Sequence, residues 1–410
     1  MPNKLQNDRR SLLFLFLFTA MLLSLFFSRA ALSVSIGAFV VCSFLHTGFK
    51  KQWQVFFSTP LLWSMSLLFL LPLLSGLWSE DKLTWQHLVL IKIPLLALPL
   101  AFAGPLPQRL PALFAYIFIG VLTIAAGWSA WHYLSDPEAI ADSYLRAKTI
   151  ITPLQNDHVR FSWLISAAIL AAGWLFLQQQ KKRNATGITL AAVIAFLIIY
   201  LHMLAVRTGL LCFYSILAGF IISQIVQRRR VAFFLLGAII VLPVLAWVCF
   251  PTFQNRLRYF KYDMSYFRKL EYLPGGNDAM RIISMKAGWE VLAAHPLSGV
   301  GFGDIKKETD LRYEAAYPGM LETDKIYPSS EIMVYGAGSG VAGLLVIVFA
   351  LTAPFFTPVK NNLPWRLLAV MTGVVLLFDV GLEVQFGVFL HAFTLLWCWK
   401  WWQGQNLVTP

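Results

Sequence analysis

An all-α polytopic membrane protein is the fold class this sequence predicts, and three observations predict it. Of 410 residues, 58% are apolar and only 13% are charged, against roughly 25% charged in a soluble domain. Runs of about 18 or more apolar residues recur along most of the chain, each long enough to cross the hydrocarbon core as a helix. The alternating ~10-residue segments of a membrane β-barrel are absent. Helices also satisfy their own backbone polar groups in lipid, where water cannot.

The apolar runs divide the chain into three parts. Residues 1–250 hold nine expected spans, at roughly 12–27, 31–47, 60–77, 86–103, 110–132, 160–178, 186–204, 208–226 and 231–250. Residues 251–330 form one large polar loop, and 331–410 hold three more spans, at roughly 331–354, 365–380 and 386–402. Asn7-Asp8-Arg9-Arg10 ahead of the first run resembles a signal peptide, but that run lacks a small-x-small cleavage site and reads as an uncleaved span. The count of twelve is tested by loop charge. With both termini cytoplasmic, one set of loops carries Arg9/Arg10, Lys50/Lys51, Arg109, Lys181/Lys182/Arg183, Arg228/Arg229/Arg230, Lys360/Arg366 and Lys400. The short loops of the other set are mixed, as in Glu80/Asp81/Lys82. That is the positive-inside pattern, and adding or dropping one span destroys it.

The same alternation puts the 251–330 loop on the outer face, with the 136–160 loop, the turn at Arg207 and the turn at 379–385. The formal charge of +13 is therefore a matter of membrane topology, and no nucleic-acid partner is implied. The large loop carries eleven Lys/Arg, and a basic surface beside lipid suits an anionic ligand such as a phosphate-bearing lipid. The four cysteines (Cys42, Cys212, Cys249, Cys398) lie in or at the edge of apolar runs and have neither metal nor disulfide spacing. Gly-x-Gly-x-Gly at 299–303 lacks the Lys-Ser/Thr of a nucleotide loop. Neither a metal nor a cofactor is expected.

Candidate site residues sit at the outer boundary. Arg207 either snorkels or, with the helix that begins at Thr208-Gly209, grips an anion such as a diphosphate. Residues 278–294 read as a helix capped by Asn277 or Asp278, with Ile282, Met285, Trp289 and Leu292 as its apolar stripe. Arg281 lies off that stripe, as a phosphate ligand or a solvated charge. His295-Pro296 ends the helix, and glycines 299, 301 and 303 allow a tight turn that exposes backbone. His295 is a structural residue or a base. Glu383 and Gln385 lie at the end of the eleventh span, and Lys92 and His202 at membrane depth, where ionisable groups are functional or paired.

The run Arg281…Trp289…His295-Pro296-Leu297-Ser298-Gly299-Val300-Gly301-Phe302-Gly303, the turn Arg207-x-x-x-Leu211 and the start of the next span resemble the O-antigen ligase/O-antigen polymerase family of bacterial envelope glycosyltransferases. Ser75-Gly76-Leu77-Trp78-Ser79 and Asp157-His158-Val159-Arg160-Phe161-Ser162 are weaker landmarks of the same family. The resemblance implies a twelve-span protein of the bacterial inner membrane with a large periplasmic loop. It implies an inverting, metal-independent transfer of a glycan from an undecaprenyl-diphosphate donor to lipid A–core or a growing polysaccharide, in which Arg207 and Arg281 hold the diphosphate. Arg160, His158, Ser330, His295, Glu383 and Gln385 would then line the substrates. Family ligases carry His, then Asn, Ser or Gln, nine residues, and Gly-x-x-Gly. Here Ser330 precedes Gly340-Val341-Ala342-Gly343 at that spacing, so Ser329 stands at the histidine position. A serine cannot replace imidazole as a general base near neutrality. Ser329 and Glu331 therefore border the acceptor in this reading, with Glu331, His295 or Glu383 as the base, or with catalysis resting on the leaving group. A transporter or flippase of a lipid-linked anionic substrate is the other function class that twelve spans fit, without the repeat symmetry such proteins show.

Overall fold

The computed structural model describes residues 2–107, 109–179, 184–359 and 361–406. The topology charges Lys181, Lys182, Arg183 and Lys360 lie outside the described residues. Among those described, all regular structure is helical. The first half runs α1 (Pro2–Phe27), α2 (Arg29–Phe44), α3 (Phe49–Ser58), α4 (Pro60–Ser75), α5 (Lys82–Lys92), α6 (Pro94–Ala103), α7 (Leu110–Ser135), α8 (Pro137–Ser143) and α9 (His158–Gln178). It continues with α10 (Ala185–Leu204), α11 (Arg207–Gln227), α12 (Arg229–Cys249), α13 (Pro251–Arg268), α14 (Asp278–Ala294) and α15 (Ile305–Ala316). The chain closes with α16 (Glu331–Thr352), α17 (Leu363–Phe378) and α18 (Gln385–Asn406).

Starts and stops follow local chemistry. Asp157 caps α9 by accepting from Arg160 N–H, Asn184 caps α10 through Gly187 N–H, and Asn362 caps α17 through Trp365 N–H. Proline at the first turn opens α4, α6 and α13. Among the described residues, eight helical stretches are long and apolar enough to cross a membrane, or nine if the bent pair α2–α3 (113°) is one span. The fold is that of a multi-pass helical membrane protein. The other expected spans correspond to the shorter apolar helices α4 and α17 and to α18, which is rich in Trp and polar residues at its end. Helix α18 sits inside the bundle, with Phe389, Phe393 and Trp397 almost fully buried. Phe393 packs edge-on against Phe18, Phe102 and Phe114 at ring distances of 5.0–6.0 Å. A helix shielded by others needs less lipid solubility than one that faces the bilayer.

The two ends of the bundle are chemically distinct. At one end Arg10 donates to Pro105 O and Lys400 to Gly104 O (3.4 and 3.2 Å). At the other, the long polar segment meets the tops of α9, α10, α11 and α17. Thr252 donates to Met203 O (2.6 Å), Asn255 to Ala141 O (2.8 Å) and Arg281 to Phe378 O (3.1 Å).

Helix α16 is broken midway. Ser339 and Gly340 leave the helical region, Gly340 at φ +59°. The freed carbonyls of Ala337 and Gly338 accept from Val300 and Gly301 N–H (2.9 and 3.0 Å), and Val341 N–H donates to Pro296 O (2.8 Å). Non-helical backbone at membrane depth is tolerable where protein re-satisfies it in this way.

Candidate functional site

Helix α10 ends because Ala205 takes a left-handed conformation (φ 50°), and the extended Val206 turns the chain into α11. Arg207 is thus the first residue of a helix without a side-chain cap. Its N-terminal N–H groups and dipole favour an anion there. Gly209 lets α11 approach α9 closely, since a Cβ would lie 2.4 Å from Ser162 Cβ. The Arg207 guanidinium pairs through Nη1 with Asp278 and lies over the Phe260 ring at 4.8 Å, while its buried Nη2 has no partner.

Helix α14 supplies the opposite wall. Its N-terminus is capped by neither Asn277 nor Asp278. Asp263, reaching from α13, accepts from Asn277, Asp278 and Ala279 N–H at 3.1, 2.7 and 3.2 Å. A capping group fifteen positions away leaves no local sign. The face of α14 also differs from the expected one. Met280, Ile283, Ala287 and Val291 are buried, whereas Ile282 and Trp289 are 41% and 57% exposed. The predicted stripe of Ile282, Met285 and Trp289, together with Arg281 and Lys286, lines a cavity of about 900 Å³. Arg207, Leu211 and Tyr214 of α11, Phe260, Asp278 and Phe378 also line it. Of the predicted stripe, only Leu292 is core.

Arg281 donates to Phe378 O and lies 3.8 Å from Asp379. The same carboxylate is 3.1 Å from Arg160, which also donates to Val380 O (2.8 Å). Arg160 therefore ties α9 to the 379–385 turn beside Arg281. His158, at the start of α9, feels the charges of both Arg256 and Arg281. Glu383 finds its cation in Lys92, at 2.6 Å with Lys92 fully buried. Lys92 also donates to Leu382 O (2.7 Å). Gln385 points elsewhere, donating to Ser33 Oγ (2.8 Å) in a separate cavity that includes His87 and Pro94. His202 donates from Nδ1 to Ile198 O (2.8 Å), which leaves Nε2 to accept from Tyr214 OH (2.7 Å).

Ser329, Ser330 and Glu331 lie at the start of α16 and are all buried. Ser329 N–H donates to Ser284 Oγ (3.0 Å), the Ser284 hydroxyl donates to Arg281 O (2.8 Å), and the two serine hydroxyls are 3.0 Å apart. Ser330 N–H donates to Pro328 O (2.7 Å), and its carbonyl starts the α16 ladder. Glu331 accepts from Leu382 N–H, and its second oxygen has no partner. None of the three lines the large cavity. His295 is exposed at the C-terminal end of α14, about 20 Å of helix from Arg281 at 1.5 Å per residue.

The glycine turn does not expose its backbone. Besides the bonds of Val300 and Gly301 to α16, Phe302 and Gly303 N–H donate to Ser75 and Ser79 Oγ (3.2 and 3.3 Å). Asp304 accepts from Glu80 and Asp81 N–H at 2.7 and 3.0 Å. A Cβ at Gly299 would sit 2.4 Å from the Gly338 carbonyl carbon. Two separate sequence landmarks are thus one structural joint, spent on holding the broken helix.

The expected basic surface also changes character. The same stretch that holds eleven cations holds ten acids, and six of the cations pair with a carboxylate of the stretch or beyond it. Lys306 pairs with Asp310, Arg312 with Glu308 (2.7 Å), Lys325 with Glu314 (2.9 Å) and Lys307 with Glu80 (2.9 Å). The cation that stands out is one sequence reasoning passed over. Arg256 of α13 is 6% exposed, stacks over Tyr144 at 5.5 Å, and leaves Nε and Nη1 without partners. Burial, and more weakly the Arg281 charge, lowers its pKa from the ordinary guanidinium value. It sits among the loop's many surface-like arginines in the sequence, and no periodicity marks it.

No curated protein matches the chain. Residues 192–348 match a family model described as O-antigen ligase. That span contains Arg207, Arg256, Arg281, the glycine turn and Ser329–Glu331, and the match supports the O-antigen ligase family for this chain.

Proposed function

We propose that this protein transfers a glycan from an undecaprenyl-diphosphate carrier to a hydroxyl acceptor on lipid A–core or a growing polysaccharide, at the periplasmic face of the bacterial inner membrane. The observation that carries the reading is the composition of the large cavity. It sets Arg207, Arg281 and Lys286 against Ile282, Met285, Trp289, Leu211 and Phe378. A phosphate headgroup on a polyprenyl tail needs cations on one side and apolar surface on the other. The chain's twelve expected spans, with residues 251–330 outside, would put this cavity where such a carrier presents its glycan.

Chemically, attack by the acceptor oxygen on the anomeric carbon breaks that carbon's bond to the diphosphate oxygen, with inversion. The acceptor proton passes to water as the bond forms, and the diphosphate departs with the electron pair. Arg207 and Arg281 neutralise the charge that grows on it, without a metal ion. The uncapped start of α11 adds to the same field. Ser329 and Glu331 hold α14 and the 379–385 turn against α16 behind the cavity, and rate enhancement comes chiefly from the leaving group.

The test is transfer in vitro. Purified protein, an undecaprenyl-diphosphate glycan and lipid A–core or glycan acceptor should give the extended product. Arg207→Ala and Arg281→Ala should each lower it about 100-fold in vitro and alter the surface polysaccharide ladder in cells. Normal ladders from both well-expressed variants would overturn the assignment.

A further inference from the structure

Beside the large cavity lies a smaller one of about 200 Å³, lined by Ala205, Arg207, Leu210, Phe253, Arg256, Leu257 and Phe260. The two share Arg207, Leu210 and Phe260, so Arg207 stands on the wall between them. Arg281 faces the outer cavity and Arg256 the inner one. Resting on the transfer reading above, we propose that Arg256 forms an inner phosphate subsite. The diphosphate straddles Arg207, with one phosphate between Arg207 and Arg281 and the other between Arg207 and Arg256.

The argument is one of unpaired charge. A buried guanidinium is normally matched by a carboxylate or a full set of acceptors. Arg160 and Arg281 have Asp379, and Arg207 has Asp278. Asp263, the acid nearest in sequence, directs Oδ2 to three N–H groups at the start of α14. Arg256 has only the face of Tyr144. Its Nε and Nη1, with Nη2 of Arg207, are buried donors without acceptors, and the two side chains line a space large enough for one phosphate group. Apolar Leu210, Phe253, Leu257 and Phe260 exclude water there, which strengthens a charge-assisted bond. A ligand with two linked phosphates satisfies all three arginines, whereas a single phosphate leaves one of them unmatched.

The experiment measures binding to the full-length protein in lipid nanodiscs with four probes: polyprenyl diphosphate, polyprenyl monophosphate, inorganic pyrophosphate and inorganic phosphate. Wild type should favour each diphosphate over its monophosphate. Arg256→Gln should lower diphosphate affinity about 10- to 100-fold, the loss of one charge-assisted contact, and leave monophosphate affinity unchanged. Arg256→Lys, which keeps the charge, should retain most of the preference and shows that the variant loss is not misfolding. Loss with inorganic pyrophosphate means that the phosphates alone are read, and loss only with the polyprenyl form means a lipid-borne ligand; either supports the subsite. An Arg256→Gln protein that keeps the full preference, or that loses both affinities equally as a misfolded site would, overturns it. If wild type itself shows no affinity for polyprenyl diphosphate, the transfer reading fails first and takes the subsite with it.

Discussion

Arg207 is held by Asp278, yet the proposed role requires it to hold phosphate, and the two can be separated. Consider Arg207→Gln, Asp278→Asn and the double variant. A phosphate gripped by two N–H groups of Arg207 gains about 1.5–3 kcal/mol per charge-assisted bond. The side chain is 35% exposed, so screening argues for the lower end, about 3 kcal/mol in all. Lost from the transition state, that is about 150-fold in kcat/KM. The pair with Asp278 is worth less. It is a part-exposed pair, of the kind that contributes about 0.2–1 kcal/mol, and in the loaded site the carboxylate competes with the ligand. Asp278→Asn should therefore change kcat/KM by less than about fivefold, and the double variant should match Arg207→Gln. The assay is initial-rate transfer from a lipid-linked glycan by purified protein, with thermal unfolding of each variant as the control. If Asp278→Asn falls as far as Arg207→Gln, and the double variant no further, the ion pair itself is the functional unit and the phosphate reading is wrong.

Three further variants probe the scaffold. Lys92→Met should cost about 3–5 kcal/mol because it strands the buried Glu383 carboxylate, and Lys92→Met/Glu383→Gln should recover most of it; denaturant titration in mixed micelles reads both. Gly301→Ala should destabilise by about 2–4 kcal/mol, since φ is +90° and the new Cβ would meet Ser79 Cα at 2.9 Å, and the loss should appear as a lower thermal midpoint. Ser329→Ala removes one hydroxyl contact to Ser284 at 3.0 Å, so transfer should fall less than about tenfold; a larger loss at unchanged stability would make Ser329 a participant in the chemistry.

Much of the fold was legible in the sequence because its causes are local. Runs of apolar residues, the caps Asp157, Asn184 and Asn362, and the prolines that open α4, α6 and α13 act within a few positions of themselves. Arg207 stood out as a candidate for a related reason: it sits beside a helix boundary that its own neighbours define. What the local pattern could not supply was the partner. Lys92 and Glu383 are 291 positions apart, and each read as functional or paired with an unnamed partner until the tertiary structure joined them.

The stripe of α14 makes the same point about faces. Periodicity says that Ile282, Met285 and Trp289 share a side of a helix, but not whether protein, lipid or a ligand covers that side. Tertiary packing against α15 and α16 chose the opposite face for the core and left the stripe to the cavity. It likewise converted the glycine turn from exposed backbone into a joint with Ser75 and Ser79. Packing also buried Arg256 without an ion-pair partner among the described residues, while Arg281, Lys306, Lys307, Arg312 and Lys325 met acids. The sequence by itself determined that helices form and where most of them begin and end, because backbone hydrogen bonding, capping and hydropathy are short-range; the start of α14, capped by Asp263, is an exception. Only the tertiary structure decided which charges remain unpaired, because pairing depends on which distant helix ends meet.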